Sequence, residues 1–208
     1  LIVKFLGIDK RISVQVHPPD EFALRHEPGD PGKTEAWVVL HAEKGARIVR
    51  GVLPGTTAAD FRAAAVRGTV GASLNEVEVE TGDCIFLPPG TIHAAMGGMT
   101  LAEVSQNSDL TYRVFDFDRL QADGTPRPLH IRQALDVLDF GPPRGGQVEP
   151  VRIQSGPLAK TYLTACAYFA TEKWEFFAPV AATTSSDRFE ILIFISGRGV
   201  IESSGEST

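Results

Sequence analysis

Cysteine is scarce in this chain. There are two in 208 residues, Cys84 and Cys166, too far apart in sequence to form a ligand-spaced pair, and both read as reduced thiols of a cytoplasmic protein. Long apolar runs are missing as well. Nothing approaches the ~20 residues of a spanning helix or resembles a signal peptide, which argues against a membrane partner. Basic charge is in deficit, with 20 Lys and Arg against 26 Asp and Glu and a net charge of −6. Phosphate contacts along a nucleic acid need a basic surface, so nucleic acid is excluded as a partner. Methionine is absent from the first position, which is Leu1, and the last residues, Glu202 to Thr208, are polar. Those are the ends expected of a fragment. Histidine numbers only five, so the setting of each one is informative.

What is present is a series of short strand signals. Arg11 to His17 alternates apolar and polar residues until Pro18-Pro19. Ala36 to Leu40 and Ala46 to Val52 are β-branched and aromatic. Glu76 to Glu80 alternates, Thr81-Gly82-Asp83 turns, and Cys84 to Leu87 follows. Thr100 to Val104, Thr111 to Phe117 and the apolar Phe189 to Ile195 complete the set. Short strands between Gly, Pro and Asp turns predict a sandwich or barrel rather than βαβ units. Two helices interrupt it, one over Ala58 to Val66 with Thr57 as N-cap and Asp60 at the capping-box position, the other over Ile131 to Val137. Phe140 to Gly146 reads as a linker. The predicted organisation is an all-β barrel domain with a few helices over residues 1–140, and part of a second β unit over 141–208.

Three stretches carry the candidate chemistry. In Ser13-Val14-Gln15-Val16-His17, period two places Ser13, Gln15 and His17 on one face, so that Gln15 and His17 can aim at one point. In Gly32-Lys33-Thr34-Glu35-Ala36-Trp37, Glu35 enters an apolar strand, where a buried carboxylate needs a partner. Lys33 shares its face. In GDCIFLPPGTIHAA, Gly82 to His93 fits G-x5-P-x-G-x2-H, a pattern similar to the second conserved motif of cupin barrels. A polar strand face and an exposed turn would explain the first two stretches alone. The third favours a site. Together they supply Gln15, His17, Glu35 and His93, an amide, a carboxylate and two imidazoles suited to a divalent ion such as zinc. His26 reads as part of an acidic loop, His41 as just past a strand end, and His130 as a helix start.

The phrases SVQVHPPDEFA, GKTEAWVVL, GDCIFLPPGTIHAA and SQNSDLTYRVFDFDR, in this order, resemble the type I mannose-6-phosphate isomerases in their short bacterial form. The resemblance spans most of residues 3–140 and implies a cupin jelly-roll barrel followed by part of a second cupin-like unit. It implies one zinc ion per chain on Gln15, His17, Glu35 and His93, and a catalytic role for Arg113, the arginine of TYR. The family has a segment before the first strand and continues past FEILIFISGRG. No histidine follows His130, so the second unit is expected to be scaffold or dimer surface, in a monomer or homodimer.

The implied reaction interconverts mannose 6-phosphate and fructose 6-phosphate through an enediol. It needs an acid–base group and a cation to hold the sugar oxygens as charge develops. Lys33 is a candidate for proton transfer or for phosphate binding. Two rival readings differ in class. His17, Glu35 and His93 alone would suit the iron of a cupin oxygenase, and a non-catalytic cupin would bind a sugar phosphate without turnover.

Overall fold

The computed structural model describes residues 1–142 and 144–202. Pro143, within the expected linker, and most of the polar ending, 203–208, lie outside the described residues. Two five-stranded antiparallel sheets form a barrel. The first runs in the order β1 (Ile2–Ile8), β8 (Met99–Ser105), β3 (Glu35–Ala42), β6 (Cys84–Leu87), β10 (Gly146–Gln147). The second runs β5 (Leu74–Glu78), β4 (Arg47–Val52), β7 (His93–Ala95), β2 (Val14–Val16), β9 (Tyr112–Phe115). A separate three-stranded sheet holds β11 (Val151–Ser155), β12 (Leu158–Ala165) and β13 (Ala170–Phe176). The architecture is the mostly-β, cupin-like fold expected.

Alternation decides which side of the second sheet faces what. Val14, Val16, Val49, Ala94 and Val114 point outward and are covered by Phe61 and Ala64 of α2 (Ala58–Val66) and Ala134 of α3 (Ile131–Val137). Their neighbours point inward. Trp37, Val39, Ile48, Ile85, Leu87 and Leu101 fill the space between the sheets at one end, which leaves the other end to polar side chains. Helix α2 starts where expected, with the Thr57–Asp60 capping box formed in both directions.

Several expectations need correction. The Arg11–His17 strand shortens to Val14–Val16, because Pro18 and Pro19 stop it and only Ile12 before it bonds across, to the carbonyl of Ala95. His26 ends a helix, α1 (Asp20–His26), rather than sitting in a loop; Asp20 and Glu21 at its start and Arg25 and His26 at its end complement the helix dipole. His41 lies inside β3 with its side chain exposed, not beyond the strand end. Phe189–Ile195 forms no strand. Its apolar side chains stand 41–70 % exposed, Phe194 at 50 %, because no described strand pairs with it. Cys84 and Cys166 are unpaired, and burial with the Asp83 carboxylate pushes the Cys84 thiol up to about 12. Among the described residues, no helix is long and apolar enough to cross a membrane.

Candidate metal centre

The sequence motifs meet inside the polar end of the barrel. Glu35 begins β3 in the first sheet and faces His17 and His93 from the second. His17 Nε2 is 3.4 Å from Glu35 Oε2 and His93 Nε2 is 3.1 Å from Oε1. All three side chains are at most 2 % exposed, and one ligand atom from each lies within 4.8 Å of the others. The Pro88–Gly90 bend makes this possible. Gly90 takes φ 84°, where a Cβ would meet the Val137 carbonyl at 2.9 Å, and its amide donates to the carbonyl of His17. The bend therefore turns β6 into β7 and ties the segment leading to His93 to His17, the residue that follows β2.

The ring tautomers follow from their outer partners. His17 Nδ1 donates to the Leu110 carbonyl at 2.6 Å, and His93 Nδ1 donates to the Thr91 carbonyl at 2.8 Å. A carbonyl only accepts, so each Nε2 is left with a lone pair. Both lone pairs aim at a carboxylate. His17 Nε2 and Glu35 Oε1 are buried with no well-formed hydrogen bond, and the Lys33 ammonium reaches only Glu35 Oε2, at 2.8 Å. Converging acceptors of this kind repel unless a cation sits among them, and imidazoles anchored through Nδ1 to backbone carbonyls are a usual support for metal ligands. Burial also lowers the pKa of His17 against the pull of Glu35, which favours the neutral ring. For Glu35, burial opposes ionisation, but positive charge at the facing imidazoles outweighs it and holds the carboxyl well below its usual range, a part that a bound cation takes when the rings are neutral. The donor set fits a divalent metal ion.

Gln15 joins the cluster at its edge, its amide nitrogen placed 3.4 Å from His93 Nε2. In that orientation an amide N–H donates a long hydrogen bond to the lone pair of His93 Nε2. Turning the amide over brings its oxygen to the cluster instead, a choice that heavy-atom positions leave open. Lys33 is also inside, 4 % exposed, with its ammonium 2.8 Å from Glu35 Oε2 and 3.1 Å from Glu103 Oε1. Burial disfavours its charge, yet the two carboxylates prevail and raise its pKa. Arg113 is half-buried. It stands opposite Gln15 in register, donates from one guanidinium nitrogen to the Pro128 carbonyl at 3.0 Å, and leaves Nε buried and unpartnered.

Two further residues belong here. Arg113, Gln15, His93 and Arg50 stand opposite one another across β9, β2, β7 and β4, and partners in such a row point to the same face. An arginine therefore flanks the cluster on each side. Glu103, 5 % exposed on β8, receives the Lys33 ammonium. Its local sequence signal was slight, one acid between the apolar Leu101-Ala102 and Val104. His26 and His41 lie outside the cluster. His130 stands at the N-cap position of α3 without a side-chain capping bond, and its ring nitrogen accepts the backbone amide of Arg113.

Fold and cluster together define a cupin-like barrel with an interior candidate metal centre of two histidines and a glutamate. No family model matches the chain. It is 37 % identical to the mannose-6-phosphate isomerase ManA of Bacillus subtilis over 200 residues, covering 96 % of this chain and 62 % of that protein. It is 35 % identical to the mannose-6-phosphate isomerase of Streptococcus mutans, covering 97 % and 62 %. The solved mannose 6-phosphate isomerase of Bacillus subtilis superposes with a TM-score of 0.78 at 30 % identity, over 84 % of this chain and 55 % of that one. The chain is thus a homologue of the mannose-6-phosphate isomerases, and it spans about three fifths of the length of these curated relatives.

Proposed function

We propose that the chain is the metal-binding part of an aldose–ketose isomerase that interconverts mannose 6-phosphate and fructose 6-phosphate, with zinc held by Gln15, His17, Glu35 and His93. One observation carries the reading. The lone pairs of two imidazoles converge on a fully buried carboxylate, with His17 Nε2 and Glu35 Oε1 lacking a well-formed hydrogen bond and Glu35 Oε2 meeting the Lys33 ammonium. A closed structural zinc site is usually cysteine-rich, whereas this amide, carboxylate and imidazole set suits a site open to substrate. When bound, the ion supplies Lewis-acid stabilisation of the sugar oxygens as negative charge develops.

The remaining roles fall to side chains of the chain itself. The reaction moves one proton between C1 and C2 through an enediol. Lys33, kept protonated by Glu35 and Glu103, is suited to donate a hydrogen bond or a proton to a sugar oxygen. An ammonium in that state is no base, and its depth speaks against a role in holding the distal phosphate. Arg113 and Arg50 offer planar, permanently charged forks on either side of the row. They suit an anionic substrate and the charge of the enediolate.

A coupled assay for fructose 6-phosphate formed from mannose 6-phosphate tests the proposal. Zinc-loaded protein is expected to turn over and chelator to abolish it, with activity restored by added zinc. Binding of mannose 6-phosphate without turnover would point to a sugar-phosphate-binding cupin. Oxygen uptake by iron-loaded protein would point to an oxygenase built on His17, Glu35 and His93.

A further inference from the structure

The loop that carries Lys33 and Glu35 into the barrel has no regular secondary structure of its own, yet its backbone is almost fully bonded. Gly32 is pressed against the turn after His17. A Cβ there would lie 2.4 Å from Asp20 N and 2.7 Å from the Pro18 carbonyl, so only glycine fits. The Gly32 amide donates to Asp20 Oδ1 at 2.9 Å and the Lys33 amide to the Pro18 carbonyl at 3.0 Å. The Thr34 amide donates to Gln106 Oε1 at 2.7 Å, and the Gln106 amide donates to the Thr34 carbonyl at 3.1 Å. The side-chain amide of Gln106 completes the ring by donating to Asp20 Oδ1 at 3.0 Å. Its orientation is fixed, since a backbone N–H needs an acceptor and a carboxylate needs a donor. Ser108 extends the set, donating to the Pro31 carbonyl and accepting the amide of Leu110, whose carbonyl orients His17.

The other oxygen of Asp20 is taken by a residue from outside the barrel. Tyr168, in the turn between β12 and β13, donates its hydroxyl to Asp20 Oδ2. Phe169 beside it is 8 % exposed and packs with Ala36 and Val104 of the first sheet. The hairpin tip is thus seated on the strand that begins with Glu35. The Tyr168 hydroxyl is also the largest influence holding the Asp20 carboxyl below its usual value, which keeps it ionised as an acceptor.

We propose that Tyr168 and Asp20 are positioning residues for the candidate metal centre, and that the three-stranded sheet holds the Lys33–Glu35 loop in register with His17 through the Tyr168–Asp20–Gln106 chain. This rests on the reading of the cluster as a metal site. It assigns the hairpin a part in the site beyond the scaffold or dimer surface that its lack of histidines suggested. Neither residue touches the ligand atoms; each acts through backbone amides that fix where Lys33 and Glu35 point. Loss of such outer support typically weakens metal binding by about 10–100-fold.

Two measurements on purified protein test this. The first is amide hydrogen exchange in Tyr168→Phe and Asp20→Asn. Exchange at Gly32, Lys33 and Thr34 is expected to quicken at least about 10-fold, while the central amides Val39 and Ile48 keep their protection. This readout needs no metal, so it stands even if the cluster binds none. The second is zinc affinity by chelator competition, well below the melting temperature, with about 10-fold weaker binding expected in Tyr168→Phe and more in Asp20→Asn. Unchanged exchange at the three amides overturns the clamp. Faster exchange with wild-type zinc affinity overturns its link to the centre. A wild-type protein that takes up no zinc overturns the proposed function instead.

Discussion

Cys84–Leu87 and Phe189–Ile195 are both apolar runs with strand-forming residues and turns at their ends. The first is β6, bonded to β3 on one side and to β10 on the other. The second forms no strand, and its side chains face solvent. The difference teaches that apolar composition alone does not make a strand. A strand also needs a neighbour for its backbone groups and a surface for its side chains. Cys84–Leu87 has both, because the Thr81-Gly82-Asp83 turn and the Pro88 bend deliver it between two partners. Among the described residues, Phe189–Ile195 has neither.

Substitutions in the barrel around β6 and in Phe189–Ile195 should separate the two sharply. The largest effect is expected from Trp37→Ala on β3, beside β6. Its ring is fully buried and meets the His93 ring edge-on, with centroids 5.3 Å apart. Denaturant unfolding should show a loss of about 3–5 kcal/mol. Arg113→Lys comes next and reads the site rather than the fold. Lysine keeps the charge but loses the planar fork, so zinc content and melting temperature should hold while kcat falls by about 10²–10³-fold at a nearly constant KM. A rise in KM alone would make Arg113 an anchor for ground-state binding. Phe194→Ala should do least. At 50 % exposure it is expected to change stability by no more than about 0.5 kcal/mol, and a loss comparable to that of Trp37→Ala would show that the segment is packed after all.

Much of the fold was legible because it was written locally. The Thr57–Asp60 box, the period of two in Ser13–His17 and the Gly82-to-His93 motif each lie within a dozen residues, and each has its predicted element close by. The motifs at Gln15, His17, Glu35 and His93 could be singled out one at a time, each as a polar group in an otherwise apolar setting. What the sequence hid is long-range. Glu103 receives Lys33 across 70 positions, and no local pattern in Leu101 to Ser105 announces that partner. The Asp20 ring joins four separate segments, so none of its members stands out alone. Helix α1 was missed because seven residues after two prolines give little periodicity, although the acids at its start and the bases at its end were visible.

The central claim is that a buried carboxylate and two imidazoles close on a cation. Metal analysis of purified wild type beside Glu35→Gln tests it most directly. The amide nearly matches the carboxylate in shape but removes its charge, and circular dichroism can establish that the barrel still forms. The account predicts about one divalent ion per wild-type chain and a large loss of that ion in Glu35→Gln, together with loss of mannose 6-phosphate isomerisation. Equal metal content in the two folded proteins would contradict it.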